Sequence, residues 1–514
     1  MPENTHTEVE LKLRLLDPLV WTSVAKAPIF ADLNAPEPVD EQLDACYYDT
    51  SDHALLQAGV AFRIRKEDNQ WIATVKAGGS SAGGLHRRQE WNVVIAEPQP
   101  SIEPFQATEA GPLLTQLLGD SPLAPLFRSI FDRRKTQFAA PDGSQIELAI
   151  DQGLLIAGER QEAFAEIELE LKTGNPASLL AIGTELSRLF PLTVEPRSKF
   201  FRGLCLAGLE ESSSFTERQT HWNTATTAGQ VFRELLTDQL HQIFTAQEVF
   251  LQNANDHESF HQLRIQIRRL RSLLSFAKPL LEPAGCENWQ TQLQNWSQTT
   301  NSLRETDVVL DCWQEIIADG SLTLTPPPWL ELMLQTERSA QSTALADSLG
   351  QGQSTHLLLG FWAWLAGDAF LPAAALLPWN DFSISRLSAR LSDMRKLSKE
   401  LAFTDLTGLH QLRILGKKLR YTLERLPLKD RKTRILLARL KGLQDFLGSY
   451  RDTQILTQSL SGWLNTQASR VLYRDAGILF GWSARTVRDV RRDYDRTLRK
   501  FRRAARRWEE QHRP

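Results

Sequence analysis

The chain has 514 residues, too many for one ordinary core, so two or three domains are expected. Its 42% apolar and 24% charged residues are those of a globular protein, and a net charge of −3 excludes a chain that is basic throughout. Averaging still hides local asymmetry, because the final stretch "ARTVRDVRRDYDRTLRKFRRAARRW" is rich in Arg with only a few Asp.

At the N-terminus, "MPENTHTEVE" has neither a basic n-region nor an apolar h-region, so no signal peptide is read and a cytoplasmic setting is expected. Cys46, Cys205, Cys286 and Cys312 have no metal-ligand spacing, which fits a reduced compartment without a disulfide framework. "EVELKLRL" (8–15) alternates at period two. It places Glu8, Glu10, Lys12 and Arg14 on one face and Val9, Leu11, Leu13 and Leu15 on the other.

"AFRIRK", "QWIATVKA", "RRQEWNVVI", "QIELAID" and "FAEIELELK" follow, separated by turn signals such as "KAGGSSAGG" and "PDGSQ". Arg63 with Arg65, Thr74 with Lys76, and Arg88 with Glu90 share strand faces. So do Glu147 with Asp151, and Glu166 with Glu168, Glu170 and Lys172. A wet outer sheet face mixes Thr, Ser, Gln and Lys; carboxylate pairs on some strands and cation pairs on others suit a closed barrel with its charges inside. Clustered carboxylates take hard cations such as Mg²⁺ or Mn²⁺, and Arg and Lys take phosphate oxygens. A site holding both is a metal–polyphosphate site. No Walker loop, kinase signature or dinucleotide fingerprint is present.

"ASLLAIGTELSRLF" reads as a helical insert, and "SKFFRGLCLAGL" as a helix closing this region. "EESSSFTERQTHWNTATTAG" reads as a linker, after which the period becomes helical. The expected domains are 1–208, a linker at 209–225, and 226–507. "LLLGFWAWLAG" (357–367) is too short to span a bilayer and reads as a buried helix, so no membrane partner is expected.

Residues 261–271 ("HQLRIQIRRLR") recur as 410–420 ("HQLRILGKKLR"), 149 positions on. His261, Arg264, Arg268 and Arg271 form one helical stripe, and His410, Arg413, Lys417 and Arg420 repeat it. "SLRETD" (302–307) and "SYRDTQ" (449–454) recur at nearly the same offset, which argues for internal duplication into two related bundles. Cations stacked every three or four residues repel unless an anion lies along them, so two facing stripes predict a long polyanion as ligand. No aromatic residues interleave the stripes, which disfavours nucleic acid. Gly416 interrupts the apolar stripe of the second copy.

Glu8-Val9-Glu10-Leu11-Lys12 resembles the ExExK signature of the CYTH superfamily, the triphosphate tunnel metalloenzymes. "YYDT", "LLQAGVAFRIRK", "ATVKAGG", "GGLHRRQEWNV", "DGSQIELAIDQG", "EIELEL" and "SKFFRG" follow in that family's order. The resemblance implies an α+β multidomain chain. Its first domain would be an eight-stranded antiparallel β tunnel with flanking helices, open at both ends. It implies that Glu8 and Glu10 hold Mg²⁺ or Mn²⁺, with Asp151, Glu166 and Glu168 completing the acidic set. Glu170 extends that run, so which two of its three glutamates ligate stays open. Lys12, Arg63, Arg65, Lys76, Arg88, Lys199 and Arg134, taken from the run Arg133-Arg134-Lys135, would grip the triphosphate. Catalysis would centre on Glu8, Glu10 and Lys12, with tripolyphosphate cleaved to phosphate and pyrophosphate. Thiamine triphosphatase, class IV adenylate cyclase and a non-catalytic polyphosphate scaffold are the alternatives. A thiazolium platform would need rings such as Trp71 and Trp91, but alternation puts both on the face opposite the lumen cations.

The helical region resembles the CHAD domain. That implies an all-α domain of two duplicated helical bundles that binds inorganic polyphosphate through the two His stripes, with association to polyphosphate granules as an expectation. The terminal Arg-rich helix either extends the basic surface or is solvated.

Overall fold

A computed structural model describes residues 6–67, 70–209, 222, 223, 225–318, 329–426, 428, 430–466 and 470–512. Most of the predicted linker lies outside them. The chain divides into two compact units, Met1–Thr220 with Ser348–Gly367, and His221–Asp347 with Asp368–Pro514. Among the described residues no helix is long and apolar enough to cross a membrane.

In the first unit the alternating segments form strands β1 (His6–Leu15), β2 (Val39–Asp49), β3 (Ala61–Glu67), β4 (Gln70–Ala82) and β5 (Leu85–Ile95). They continue with β6 (Ala124–Ala139), β7 (Gln145–Ala157), β8 (Arg160–Thr173) and the short β9 (Leu192–Val194). The order is β5-β4-β3-β2-β6-β7-β8-β1-β9, and β1 also pairs with β5. That pairing closes eight antiparallel strands into a barrel, as the alternation predicts, and leaves β9 as an appendage on β1. Closure removes the free sheet edges.

The apolar strand faces point outward and are covered by helices. Leu11, Leu13, Ile167 and Leu169 are fully buried, and α2 (Pro176–Leu189) packs on β1 and β8. Burial of each such side chain contributes roughly 1.5–3 kcal/mol. Helix Thr355–Ala366, the apolar run noted above, packs against α2 within the same unit. α1 (Ala110–Leu118) covers a second cluster with Phe62, Val75, Trp91 and Phe105. α3 (Lys199–Ala207) covers a third around Tyr47, Phe127 and Phe131; Ser198 caps it, its Oγ accepting from Phe201 N at 3.2 Å. The "YYDT" motif serves the fold: buried Asp49 accepts from the backbone N–H groups of Thr50, Leu55 and Leu56 at 2.7–2.9 Å, fixing the β2–β3 turn.

The second unit is all helical. Its first copy comprises α4 (Ala228–Gln252), α5 (His257–Ala277), α6 (Pro283–Thr299), α7 (Asn301–Ala318) and α8 (Trp329–Gly350). The second comprises α9 (Trp379–Glu400), α10 (Leu406–Arg425), α11 (Arg431–Thr466) and α12 (Arg470–Gln511). α5 and α10 carry the two His motifs and begin alike. Asp256 accepts from Ser259 N at 2.8 Å and Asp405 from Gly408 N at 2.9 Å, so even the N-caps stand 149 residues apart. α6 and α7 together match the single helix α11, because the first copy breaks at Thr300. α5 and α10 pack on each other. Leu263, Ile267 and Leu270 are buried as their stripe predicts, and Gly416 is where α10 lies close to Met394 and Gln444.

Candidate functional site

The barrel interior is a cavity of about 260 Å³. Nine Lys and Arg side chains and seven Glu side chains line it. Of the predicted residues, Glu8, Glu10, Lys12, Arg63, Arg65, Lys76, Arg88, Glu168 and Lys199 stand on its wall.

Adjacent strands bring acids against bases. Lys76 Nζ bridges Glu8, at 2.7 and 2.9 Å, and Glu90 at 3.0 Å. Lys12 Nζ lies 2.6 Å from Glu168 and 3.2 Å from Glu10. Lys199, the first residue of α3, reaches Asp151 at 2.7 Å and Glu168 at 3.0 Å, and also contacts Glu166. Burial pushes the Glu8 carboxyl up to about 8, against the opposing pull of Lys76. Burial is also the largest single influence on Glu10 and on Glu168. The surrounding cations together outweigh it, Lys12 with Lys76 at Glu10 and Lys12 with Lys199 and Arg133 at Glu168, and hold both below the usual carboxylate range. Lys12 itself, although buried, is held above its ordinary value by Glu10 and Glu168.

Two cations differ from the rest. Among the described residues neither Arg63 nor Arg88 has a carboxylate partner at ion-pair distance, and Arg63 Nε is buried without a hydrogen-bond partner. Arg88 is positioned by a bulge in β4, where the register with β5 shifts between Ala77 and Ser80. Gly79 there has φ +128°, and a Cβ on it would lie 2.8 Å from Arg88 Cγ and 2.3 Å from Arg87 O.

One assignment is corrected. Arg134 points out of the barrel, with Nε 2.9 Å from exposed Asp40 and its guanidinium over the Trp21 ring. Arg133 takes the interior place, with Asp151 and Glu168 each at 2.7 Å. The reason is register: Arg133 lies opposite Asp151 on β7, so both share the inner face, and Arg134 falls on the other. Glu90, Glu147, Glu170 and Lys172, which the alternation put on charged strand faces without a settled role, line the cavity too, as do Glu67 and Lys135, which sequence reading gave no role. Period-two spacing from Arg65 was the available signal for Glu67.

Asp151 and Glu166 are fully buried, behind the cavity wall. With Glu168 each offers an oxygen within 4.8 Å of the others, although Lys199 is held among them. Trp71 and Trp91 pack in the outer cluster beneath α1, on the face their alternation predicts. Tyr47, Phe131 and Phe200 are the aromatic rings on the cavity wall.

In the helical unit the two stripes converge. Arg268 Nε donates to Tyr421 Oη at 3.3 Å across the α5–α10 contact. Burial, then Arg413 and Arg268, push Lys417 down to about 6. Burial lowers His261, with Arg268 and Arg304 adding to it, and lowers His410, with Arg451, Arg413 and Lys417 adding. The second repeated motif thus supplies Arg304 and Arg451 to the same cluster, and it also supplies Asp452, whose carboxyl burial raises. Three predicted members have hydrogen-bond or ion-pair partners of their own, Arg264 while still feeling Arg268 and Arg304. Arg264 donates to Thr300 O at 2.6 Å at the helix break, Arg271 to Gln294 at 3.4 Å, and Arg420 lies 3.4 Å from Glu424.

A CYTH domain model matches residues 6–203, and a CHAD domain model matches residues 234–461. The chain carries a CYTH domain followed by a CHAD domain. The CYTH region is similar to an inorganic triphosphatase of Haemophilus influenzae, 35% identical over 174 residues, which are 34% of this chain and 47% of that protein. The match thus spans about half the length of that relative. Among solved structures, the CHAD domain of the plant Ricinus communis aligns at 23% identity, covering 58% of this chain and 97% of that one, with a TM-score of 0.47. A Hippeastrum adenylyl cyclase candidate described as having a dominant triphosphatase activity aligns at 20% identity, covering 41% and 100%, with a TM-score of 0.30.

Proposed function

We propose that the CYTH domain hydrolyses tripolyphosphate to phosphate and pyrophosphate, and that the CHAD domain binds inorganic polyphosphate. The observation that carries the first part is Arg63 and Arg88: two guanidiniums on a cavity wall with no carboxylate partner, in a chamber where the other acids and bases are largely matched. They are placed to take phosphate oxygens.

The residues fit a hard divalent cation. Glu8, Glu10 and Glu168 line the cavity with carboxylate oxygens, the donor set of Mg²⁺ or Mn²⁺, and Asp151 and Glu166 stand behind Glu168. Among the described residues Glu166 Oε2 is buried without a hydrogen-bond partner, with Arg202 Nη1 3.6 Å away. When bound, the ion polarises the phosphoryl oxygens and neutralises charge. Lys12, Lys76, Arg133 and Lys199 are within reach to exchange a carboxylate for a phosphate oxygen and so hold the chain in line. Lumen carboxylates orient the attacking water.

For the CHAD domain, the support is the depressed Lys417 among Arg268, Arg413 and Arg304, an arrangement that an anion relieves.

The test is phosphate release from tripolyphosphate, ATP and thiamine triphosphate with Mg²⁺ or Mn²⁺. The aromatic rings of the cavity wall make the second and third substrates necessary controls. Tripolyphosphate should be preferred, and Arg63→Ala and Arg88→Ala should raise KM at least tenfold. Metal-independent release, no release, or preference for thiamine triphosphate would sink the reading.

A further inference from the structure

α12 carries a second basic feature, outside the region matched by the CHAD model, which ends at residue 461. Between Arg485 and Arg507 it has eleven Arg or Lys against three Asp, a net +8 in a chain whose total is −3. Its apolar face is committed inward. Val490, Tyr494, Leu498, Phe501, Ala505 and Trp508 are buried, Tyr494 Oη donates to Leu401 O at 2.7 Å, and Trp508 Nε1 donates to Thr433 Oγ1 at 2.8 Å. The helix is therefore held in one rotation, and the outward side chains are set by it.

Those side chains are arginines. Arg485, Arg488, Arg492, Arg496, Arg499 and Arg503 are exposed at steps of three or four, a single stripe that Arg506 continues. At 1.5 Å per residue it runs about 32 Å. A solvated face intersperses both signs, and like charges at these steps repel. Here Arg492 is near Asp489 at 3.4 Å and Arg506 near Glu510 at 2.8 Å, both exposed pairs of small worth. Among the described residues Arg485, Arg488, Arg496, Arg499 and Arg503 have no ion pair. None of the stripe is among the largest influences on His261, His410, Arg413 or Lys417, although α12 approaches that cluster at its N-terminal side, where Ser483, Ala484 and Val487 line a pocket with His410 and Arg451.

We propose that this stripe is an independent docking track for a flexible, base-free polyanion, inorganic polyphosphate by chemistry. The geometry favours that class over nucleic acid. A straight row follows a duplex backbone for only part of a turn, whereas a flexible chain can lie along all of it. The rings within the stretch, Tyr494, Phe501 and Trp508, are buried, so no platform stacks a base. The same burial leaves no apolar face to enter a lipid surface. Only the ligand class is shared with the reading of the inner cluster; the residues are not.

The test uses the full chain and the variant R488E/R496E/R503E, whose side chains are exposed and unpaired. Binding of polyphosphate about 100 units long is measured across salt concentrations, alongside tripolyphosphate turnover. The long chain should bind at least tenfold more weakly, its log K against log salt slope should shrink by about 2, and turnover should not change. Unchanged affinity and slope would overturn the proposal, as would stripe-dependent binding of duplex DNA in preference to polyphosphate. The paired variant R268A/K417A separates the two readings. If it alone loses long-chain binding, the track fails; if only the stripe variant loses it, the inner cluster fails and the track stands.

Discussion

Lys12 Nζ lies 2.6 Å from Glu168 Oε1, between two strands 156 residues apart in the chain. The lysine is buried, and Glu10 stands on its other side at 3.2 Å. One ammonium thus compensates two carboxylates in a place water barely reaches.

Lys12→Met is expected to abolish triphosphate turnover and also to cost about 3 kcal/mol of stability, because buried Glu10 loses its partner and Glu168 keeps only Arg133 and Lys199. Urea unfolding beside the phosphate-release assay checks both. A fully active variant, or an inactive one as stable as the parent, contradicts the shared role.

Arg133 and Arg134 should behave oppositely. Arg133→Ala removes a lumen guanidinium that Asp151 and Glu168 share with Lys199, and should lower kcat/KM at least a hundredfold. Arg134→Ala breaks only a pair with exposed Asp40 and should stay within twofold. Steady-state kinetics of the two variants decides it.

Acid should destabilise the barrel through His86. Burial pushes it down to about 4, and its Nε2 lies 3.2 Å from Glu195 O. The unfolded chain binds that proton below about pH 6.5 while the folded one does not. Stability is therefore full above 6.5 and falls as pH drops toward 4, by at most about 3 kcal/mol. In His86→Gln the urea midpoint should lose that part of its pH slope; an unaltered slope would place the titration elsewhere.

Anion binding by the CHAD domain should take up a proton. Free Lys417 sits at about 6, and phosphate beside it raises that value. Affinity should thus decline as pH rises from 6 to 8. Calorimetry in buffers of different ionisation enthalpy reads the uptake. Lys417→Arg, which keeps its charge, should flatten the dependence.

The barrel was readable because one period sorted Glu8, Glu10 and Lys12 from Leu11 and Leu13. The facing stripes were readable because duplication repeated them. What composition could not supply was the neighbour across a strand boundary. Three cations in a row hid which arginine faces inward, and only the β6–β7 register answers it by pairing Arg133 with Asp151. The same gap divided the acids from the bases into separate roles, when Lys76 with Glu8 and Lys199 with Asp151 are partners. The Thr300 break was equally invisible, so the backbone carbonyl that holds Arg264 beside Arg268 and Arg304 could not be foreseen.

That break makes the two halves of the CHAD domain unlike. Arg264 is tied to the Thr300 carbonyl where α6 gives way to α7, while its counterpart Arg413 faces the unbroken α11; both feel Arg268 and Arg304. A domain built by doubling has therefore acquired a head and a tail. An anion lying across the halves would meet an arginine held by a backbone carbonyl on one side only, so even a symmetric polymer would have a tighter end and a looser one.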